Sequence, residues 1–321
     1  MHIPVLQAES VKLWASLDRG KDVQEGIYVD ATFGEGGHSR HLIDLAKEKQ
    51  RITVVGIDQD QTQIAKAKIK FAKLIKAKKL FLYHDNFANL FKVISSFQPI
   101  RPVRGVLFDF GTCSSHLKAN RGFSFQEPEA PLDMRFNLEG ERPPAADILN
   151  RWPQDELEKL LKEKGEERYW RRAAKAIVEK RKTGARFEKV SDLLGVLEKV
   201  LASPYRKQPI HFATRVFQAL RIAVNQEDEN IKKGLAEALK ILDRDGRIAA
   251  ISFHSGEDRI VKQFFRQESR DCLCGPNLPQ CVCNHRKSLQ IITRKPLVPT
   301  AAEIRENPNS RSAKLRAAEK I

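Results

Sequence analysis

Residues 27–39 read IYVDATFGEGGHS, and this stretch decides the fold. A short run rich in β-branched and aromatic residues ends at Asp30, and Gly34, Gly36 and Gly37 then turn the chain into a segment with helical periodicity. A strand that passes through a glycine-rich turn into a helix is the first unit of a doubly wound parallel sheet. The stretch therefore predicts a Rossmann-like α/β fold.

The same alternation continues outward from this stretch. Short apolar runs predict further strands at residues 53–58, 79–84, 105–110, 247–253 and 289–293. Apolar strands separated by amphipathic helices indicate a largely parallel sheet that is covered by helices on both faces.

Residues 112–211 interrupt this pattern. They begin with a turn-rich segment and continue with apolar residues at helical spacing, without a strand pattern. We therefore expect a discontinuous α/β domain, residues 1–111 and 212–299, into which an all-helical domain for substrate recognition is inserted at residues 112–211. Residues 300–321 are polar and dotted with arginine and lysine, so we expect a basic surface tail.

The chain carries a strong positive charge. Of its 321 residues, 57 are Lys or Arg and 41 are Asp or Glu, which gives a net charge of +16. Such an excess favours RNA or another polyanion as the partner, although solubility alone could also account for it. An anionic membrane is less favoured, because no basic helix with an apolar face stands out.

Hydropathy and the amino-terminal sequence bear on location. No stretch approaches the roughly 18 consecutive apolar residues that a membrane span requires, and the first residues, MHIPVLQAES, lack the blocks of a signal peptide. We expect a soluble, cytoplasmic protein with no membrane partner. The sequence leaves open whether the chain forms an oligomer.

The glycine loop predicts a nucleotide-like cofactor. Asp30 opens the loop four positions before Gly34, a D-x-x-x-G-x-G pattern that favours S-adenosylmethionine. The third glycine of the dinucleotide motif would fall at position 39, where the chain has Ser39. An NAD-linked oxidoreductase stays open as the alternative enzyme. A non-catalytic RNA-binding assembly factor would need the charge but not the loop.

Two residues at later strand ends are further cofactor candidates. Asp58 closes the second predicted strand, where such folds place a carboxylate for the ribose hydroxyls. Its alternative role is to cap the next helix. Phe87 follows the third predicted strand and could lie beside the adenine, or it could belong to the core.

Asp109 ends the fourth predicted strand and is the leading candidate for the reaction itself. Amino methyltransferases commonly have D/N-P-P-aromatic at this place, whereas this chain has DFGTCSS. A cytosine amine is a poor nucleophile, so an oxygen that accepts its N–H bond and orients it would aid its attack. Ser114, in the same segment, and His254, after a late strand, are further catalytic candidates; a structural role is the alternative for His254.

At these motifs the sequence resembles the bacterial small-subunit ribosomal RNA methyltransferase H (MraW) family. The resemblance spans almost the whole chain, through residues 2–6, 28–39, 121–125, 131–135, 165–168, 213–221, 251–255, 257–262, 306–308 and 312–316. It implies a Rossmann-like class I methyltransferase sheet, S-adenosylmethionine as cofactor, and methylation of the N4 amine of a cytosine in the decoding centre of 16S rRNA in the small ribosomal subunit.

The resemblance also implies which residues contact the cofactor. These are Gly36, Gly37, His38, Asp58, Phe87 and Asp109, together with His116 at a position where the family usually has Gln. The chain departs from the family's usual VSSPQL by reading TCSSHL at residues 112–117, and it is one residue shorter before Arg121. Gly256 replaces the usual Leu. These departures bear on the geometry of the loop rather than on the class of reaction.

Four of the five cysteines form a separate pattern. Cys272, Cys274, Cys281 and Cys283 give C-x-C-x6-C-x-C. Four thiolates can hold a structural zinc ion, although C-x2-C pairs are more usual than C-x-C. Free thiols and a disulfide are the alternatives. An odd number of cysteines in a long chain without a signal peptide argues against a secreted disulfide framework.

Overall fold

The computed structural model describes residues 4–20, 22–47, 50–98, 101–112, 117, 119–208, 210–274 and 280–321. It divides into two compact units. The α/β unit consists of Met1–Gly111 and Asp228–Ile321, and the helical unit consists of Thr112–Glu227. Ser114 and His116, which the sequence predicts as site residues, lie outside the described residues.

The strands are β1 (Gly26–Asp30), β2 (Ile52–Asp58), β3 (Leu80–His84), β4 (Val103–Asp109), β5 (Arg247–Ser252), β6 (Leu289–Ile291) and β7 (Lys314–Lys320). The helices are α1 (Gln7–Trp14), α2 (Gly37–Leu45), α3 (Gln61–Lys70), α4 (Ala72–Lys76), α5 (Leu90–Ser95), α6 (Ala145–Arg151), α7 (Gln154–Glu163), α8 (Trp170–Lys182), α9 (Val190–Tyr205), α10 (Thr214–Asn225), α11 (Glu227–Ile241), α12 (Ser255–Glu268) and α13 (Ala301–Glu306). None of the helices in the described part of the chain combines the length and the hydrophobicity of a membrane span.

The seven strands of the described residues form one sheet in the order β3-β2-β1-β4-β5-β7-β6. The first five in this order run parallel to one another, and β7 runs antiparallel to both β5 and β6. The expected Rossmann-like sheet is therefore confirmed. The chain order reverses between β1 and β4, so the carboxyl ends of β1, β2 and β4 meet at one edge, where ligands of open α/β sheets bind.

Apolar side chains cover both faces of this sheet. Successive residues of a strand point to opposite faces. Tyr28 accordingly joins one buried cluster, which includes Trp14, and Val29 joins another, which includes Phe265. Every residue of β1 and β2 is buried, as expected for the centre of a parallel sheet with two covered faces.

The predicted basic tail at residues 300–321 is wrong. Its last residues form β7, in which Leu315, Ala317 and Ala318 are fully buried. Two charged residues of β7 are buried as well, because each has a partner: Arg316 pairs with Asp258 at 2.6 Å, and Glu319 pairs with Arg247 at 2.9 Å. The charged residues of this strand suggested that it is exposed to solvent. In the structure, residues of opposite charge elsewhere in the α/β unit neutralise them.

The helical unit extends further than the predicted boundary at residue 211. It ends at Glu227, because α10 buries its apolar face inside this unit, through Val216, Phe217 and Leu220. The sequence placed this helix with the resumed sheet. A stripe of apolar residues shows that a helix is buried on one side, but not which core it joins.

Candidate active site

The glycine loop joins β1 to α2 through two left-handed turns. Gly34 and Gly36 have φ angles of 49° and 75°. A Cβ atom on Gly36 would lie 2.6 Å from ring atoms of both Phe33 and Phe71, so a larger residue would not fit there. At Gly34 the space is open, since the nearest atom to a Cβ would be the Thr32 carbonyl oxygen at 3.9 Å. The loop thus leaves room beside Gly34 for a ligand.

Asp30 anchors the glycine loop at the end of β1. It is buried, and the Ser39 hydroxyl donates a hydrogen bond of 2.6 Å to its Oδ2. Burial raises the pKa of Asp30 to about 6, against the lowering effect of the Ser39 hydrogen bond. Ser39 therefore ties the start of α2 to the end of β1. This is a packing role for the residue that replaces the third glycine of the dinucleotide motif.

Asp58 at the end of β2 also holds the loop. Its Oδ2 accepts a hydrogen bond of 2.8 Å from the Gly34 N–H, and its Oδ1 accepts one of 2.9 Å from the Asp60 N–H. The cap of α3 is Asp60, whose side chain accepts from the Thr62 N–H. The alternative in which Asp58 is the helix cap is therefore wrong, and its carboxylate lies beside the open space at Gly34.

Asp109, at the end of β4, is the second carboxyl group of the site whose pKa is raised. Its backbone N–H donates to the Thr32 hydroxyl at 2.6 Å, and its Oδ2 lies 3.9 Å from Nδ1 of His38. Among the described residues its buried Oδ1 has no hydrogen-bond partner. Burial, followed by the negative charges of Asp30 and Glu257, raises the pKa of Asp109 well above its usual value. The side chain as a whole is 21% exposed, although Oδ1 itself is buried.

His38 and Phe87 are engaged in packing as well as being cofactor candidates. Nε2 of His38, which is buried, lies 3.1 Å from the Val5 carbonyl oxygen. Phe87 is half-buried at the edge of the core, with its ring centroid 5.7 Å from that of Phe108 and 5.8 Å from that of Phe110. Each of the two residues therefore has a structural role that does not depend on a ligand.

His254 is the N-cap of α12. Its Nδ1 accepts from the Glu257 N–H at 3.4 Å, and Oε2 of Glu257 accepts from the His254 N–H at 3.3 Å. These reciprocal bonds form a capping box. Glu257 is completely buried and adds negative charge near Asp109, yet the sequence reasoning missed it. The three-residue spacing between a capping residue and a glutamate is the signal that could have found it.

The sheet and its switch point define the class of this protein. Three carboxylates, Asp30, Asp58 and Asp109, end the three adjacent strands β1, β2 and β4, and the glycine loop lies beside them. With the antiparallel β7 inserted next to β5, this is the Rossmann-like fold of an S-adenosylmethionine-dependent methyltransferase, which needs S-adenosylmethionine as its cofactor.

Comparison with known proteins identifies the family. All residues, 1–321, match the MraW methylase family. The chain is 43% identical over 323 residues to "Ribosomal RNA small subunit methyltransferase H" of Dehalococcoides mccartyi, which covers 100% of this chain and 86% of that one. It is 44% identical over 323 residues to the protein of the same name from Thermomicrobium roseum, covering 100% of this chain and 94% of that one. The chain belongs to the MraW methylase family.

A solved structure gives a weaker likeness. An rRNA methylase from Streptococcus thermophilus aligns with 98% of this chain and 93% of its own, at 12% identity and a TM-score of 0.40. The family assignment, and not this likeness, decides against the NAD-linked oxidoreductase and the non-catalytic RNA-binding factor that the sequence left open.

Proposed function

We propose that this enzyme methylates the N4 amine of a cytosine in the decoding centre of 16S rRNA, within the small ribosomal subunit. The names of its relatives support ribosomal RNA as the substrate, and the family resemblance implies the base and its position. The observation that carries the proposal is the Asp109 carboxyl group beside the glycine loop, whose buried Oδ1 has no hydrogen-bond partner among the described residues. A ribosomal substrate would place the enzyme in the cytoplasm.

The residues of the glycine loop suit S-adenosylmethionine. The space beside Gly34 is open, and the buried Asp58 carboxylate lies next to it, hydrogen-bonded to the Gly34 N–H. We propose that Gly34, Gly36 and Gly37 form the cradle, with His38 supporting it, that Asp58 holds the ribose hydroxyls, and that Phe87 offers an apolar face to the adenine. The cofactor contact at His116 and the catalytic role of Ser114 stay predictions.

Asp109 would position the target amine. S-adenosylmethionine, when bound, supplies a methyl group on a positively charged sulfur atom. The Asp109 carboxylate can accept a hydrogen bond from the exocyclic amine and so fix the direction of its lone pair. When the amine gains a methyl group it must lose a proton. A carboxyl group whose pKa is raised is a better acceptor for that proton than an ordinary one.

A second role for Asp109 is compatible with its position. It lies at the edge that also holds the glycine loop, so it could contact the cofactor instead of the amine. His254 acts in our proposal through α12, since it caps that helix while Glu257 of the same capping box adds negative charge near Asp109. His254 is therefore a positioning residue rather than a group that touches the substrate.

The α/β unit also has a basic cavity suited to RNA phosphates. Its volume is about 420 Å³, and among the residues that line it are Lys262, Arg266, Lys287, Arg294 and Arg316. Arg316 is neutralised by Asp258. The other four form no ion pair within the described part of the chain, and no carboxylate lines the cavity. We propose that this cavity binds the RNA backbone, because Lys and Arg side chains without a carboxylate partner can bind phosphate groups.

One experiment tests the proposed reaction directly. The purified enzyme is incubated with labelled S-adenosylmethionine and small ribosomal subunits that lack the modification, and the methyl group is mapped by mass spectrometry of RNA digests. We expect one labelled cytosine in the decoding centre, methylated at N4. Label on another base, on ribosomal protein, or in none of the fractions would overturn the proposal.

A further inference from the structure

The four clustered cysteines come together on the segment between α12 and β6. Cys272, Cys274, Cys281 and Cys283 are all free, and their sulfur atoms all lie within 4.8 Å of one another. The Cys272 sulfur is 3.5 Å from that of Cys281 and 3.8 Å from that of Cys283, and the last two are 3.6 Å apart. Sequence spacing alone could not establish that the two C-x-C pairs meet.

These separations match a four-thiolate metal site. A zinc ion bound at about 2.3 Å by four sulfur atoms at the corners of a tetrahedron places those atoms about 3.8 Å apart. A disulfide requires a sulfur–sulfur distance of about 2.0 Å. Thiols without any common ligand have no reason to gather four at a time on an exposed segment. The three distances among the sulfur atoms of Cys272, Cys281 and Cys283 are thus close to those of a tetrahedral site, and the Cys274 sulfur lies within 4.8 Å of each of them.

Backbone N–H groups donate hydrogen bonds to the cysteine sulfur atoms, as they do in metal sites built from thiolates. The N–H groups of Leu273 and Cys274 donate to the sulfurs of Cys283 and Cys272, each at 3.3 Å, and the Val282 N–H donates to the sulfur of Cys274 at 3.4 Å. Such bonds stabilise the negative charge of thiolates and orient the ligands. His285 does not join the cluster, since its Nε2 lies 3.2 Å from the Gln267 carbonyl oxygen.

We propose that Cys272, Cys274, Cys281 and Cys283 bind one Zn²⁺ ion in a closed, structural site. Each thiol gives up its proton on binding, and four sulfur ligands leave no open position for a substrate, so the ion takes no part in methyl transfer. Its effect is to hold together the two C-x-C pairs that lie between α12 and β6. The inference does not rest on the proposed function.

The test measures metal in the full-length protein, purified without chelators. We expect about one equivalent of zinc by elemental analysis. Replacement of zinc by Co²⁺ should give the strong visible absorption of tetrahedral cobalt bound to sulfur. Removing the ion from the wild-type protein with a chelator should lower its melting temperature, and added Zn²⁺ should restore it.

Two variants make the result specific. The double substitution Cys272→Ser/Cys281→Ser should abolish zinc binding, whereas Cys113→Ser, the cysteine that stands apart in the sequence, should keep one equivalent. Three outcomes would overturn the proposal: wild-type protein that neither contains zinc nor takes it up from added ZnCl₂ under reducing conditions, iron–sulfur absorption in place of zinc, or the loss of four titratable thiols to two disulfides in the native protein. Because zinc content and chelation are measured on the wild-type protein, the proposal stays testable even if the double variant folds poorly.

Discussion

Asp109 combines burial, nearby negative charge and an acceptor atom without a partner among the described residues. If it positions the amine and takes its proton, Asp109→Asn should lower kcat by about 100-fold or more, since the amide keeps a carbonyl acceptor but cannot take a proton. Asp109→Ala should lower kcat further, because the acceptor is also lost. Affinity for S-adenosylhomocysteine, measured by calorimetry, should stay unchanged in both variants. An equal loss of binding and rate would instead make Asp109 a cofactor contact.

Asp58 offers the matching test for the cofactor. Its carboxylate accepts from two backbone N–H groups and lies beside the open space at Gly34. Asp58→Ala should weaken S-adenosylhomocysteine binding by about 1.5–3 kcal/mol, the cost of losing hydrogen bonds to a charged group. RNA affinity should change little. Calorimetry and an RNA filter-binding assay check the two halves, and unaltered cofactor affinity would show that the ribose assignment is wrong.

Asp30 should make stability depend on pH. Its folded-state pKa of about 6 is above the ordinary value of 3.8, so the folded state binds this proton more tightly than the unfolded state. The resulting stabilisation is complete below pH 4 and is lost as the pH rises through 6. Asp30→Asn removes this titration. The unfolding free energy of the variant relative to the wild type should therefore increase between pH 4 and pH 7, by about 2–3 kcal/mol.

Ser39→Ala provides the control for that measurement. It removes the hydrogen bond that favours the charged form of Asp30, so the wild type should lose less stability over the same pH range than this variant does. Urea unfolding at a series of pH values measures both differences. A constant difference between Asp30→Asn and the wild type across this range would contradict the raised pKa.

Strand β7 carries the clearest prediction for an element. Leu315 is completely buried between the sheet and α1, in the cluster that includes Trp14. Leu315→Ala should cost about 2–5 kcal/mol of unfolding free energy, as large-to-small substitutions in a core do. Arg311→Ala, an exposed residue on the preceding 3-10 helix Pro308–Ser312, is the control and should cost almost nothing. Urea denaturation measures both changes in unfolding free energy. Equal changes in the two variants would show that residues 300–321 behave as a surface tail.

For the molecule as a whole, the net charge of +16 should contribute to RNA binding mainly where Lys and Arg side chains have no carboxylate partner. The basic cavity predicts that Lys262→Ala/Arg294→Ala lowers RNA affinity and flattens its dependence on salt by about 0.7–0.9 per lost phosphate contact. The control, Lys66→Ala/Lys68→Ala, removes the same charge from exposed positions on α3. Binding to 16S rRNA fragments at several salt concentrations gives the slopes. Equal slopes for the two double variants would move the RNA site away from the cavity.

Much of the candidate site was predictable from the sequence, because its residues lie in short segments that are recognised from neighbouring residues alone. A strand, a glycine turn and a helix follow one another within residues 27–39, and the ends of β2 and β4 are marked by Asp58 and Asp109. Each signal depends on the order of neighbouring residues and on the φ angles that glycine permits. The sheet, its parallel half and the identity of the cofactor loop follow from such signals.

The sequence by itself determined the alternation of strands and helices, the cofactor loop and the excess of positive charge, since composition and periodicity report these directly. Only the tertiary structure decided which core α10 joins, that β7 completes the sheet, and that four cysteine sulfurs meet. The physical reason is that each of these depends on a partner distant in the chain. Arg316 is tolerated in the interior because Asp258 neutralises it, and no pattern around residue 316 reveals that partner.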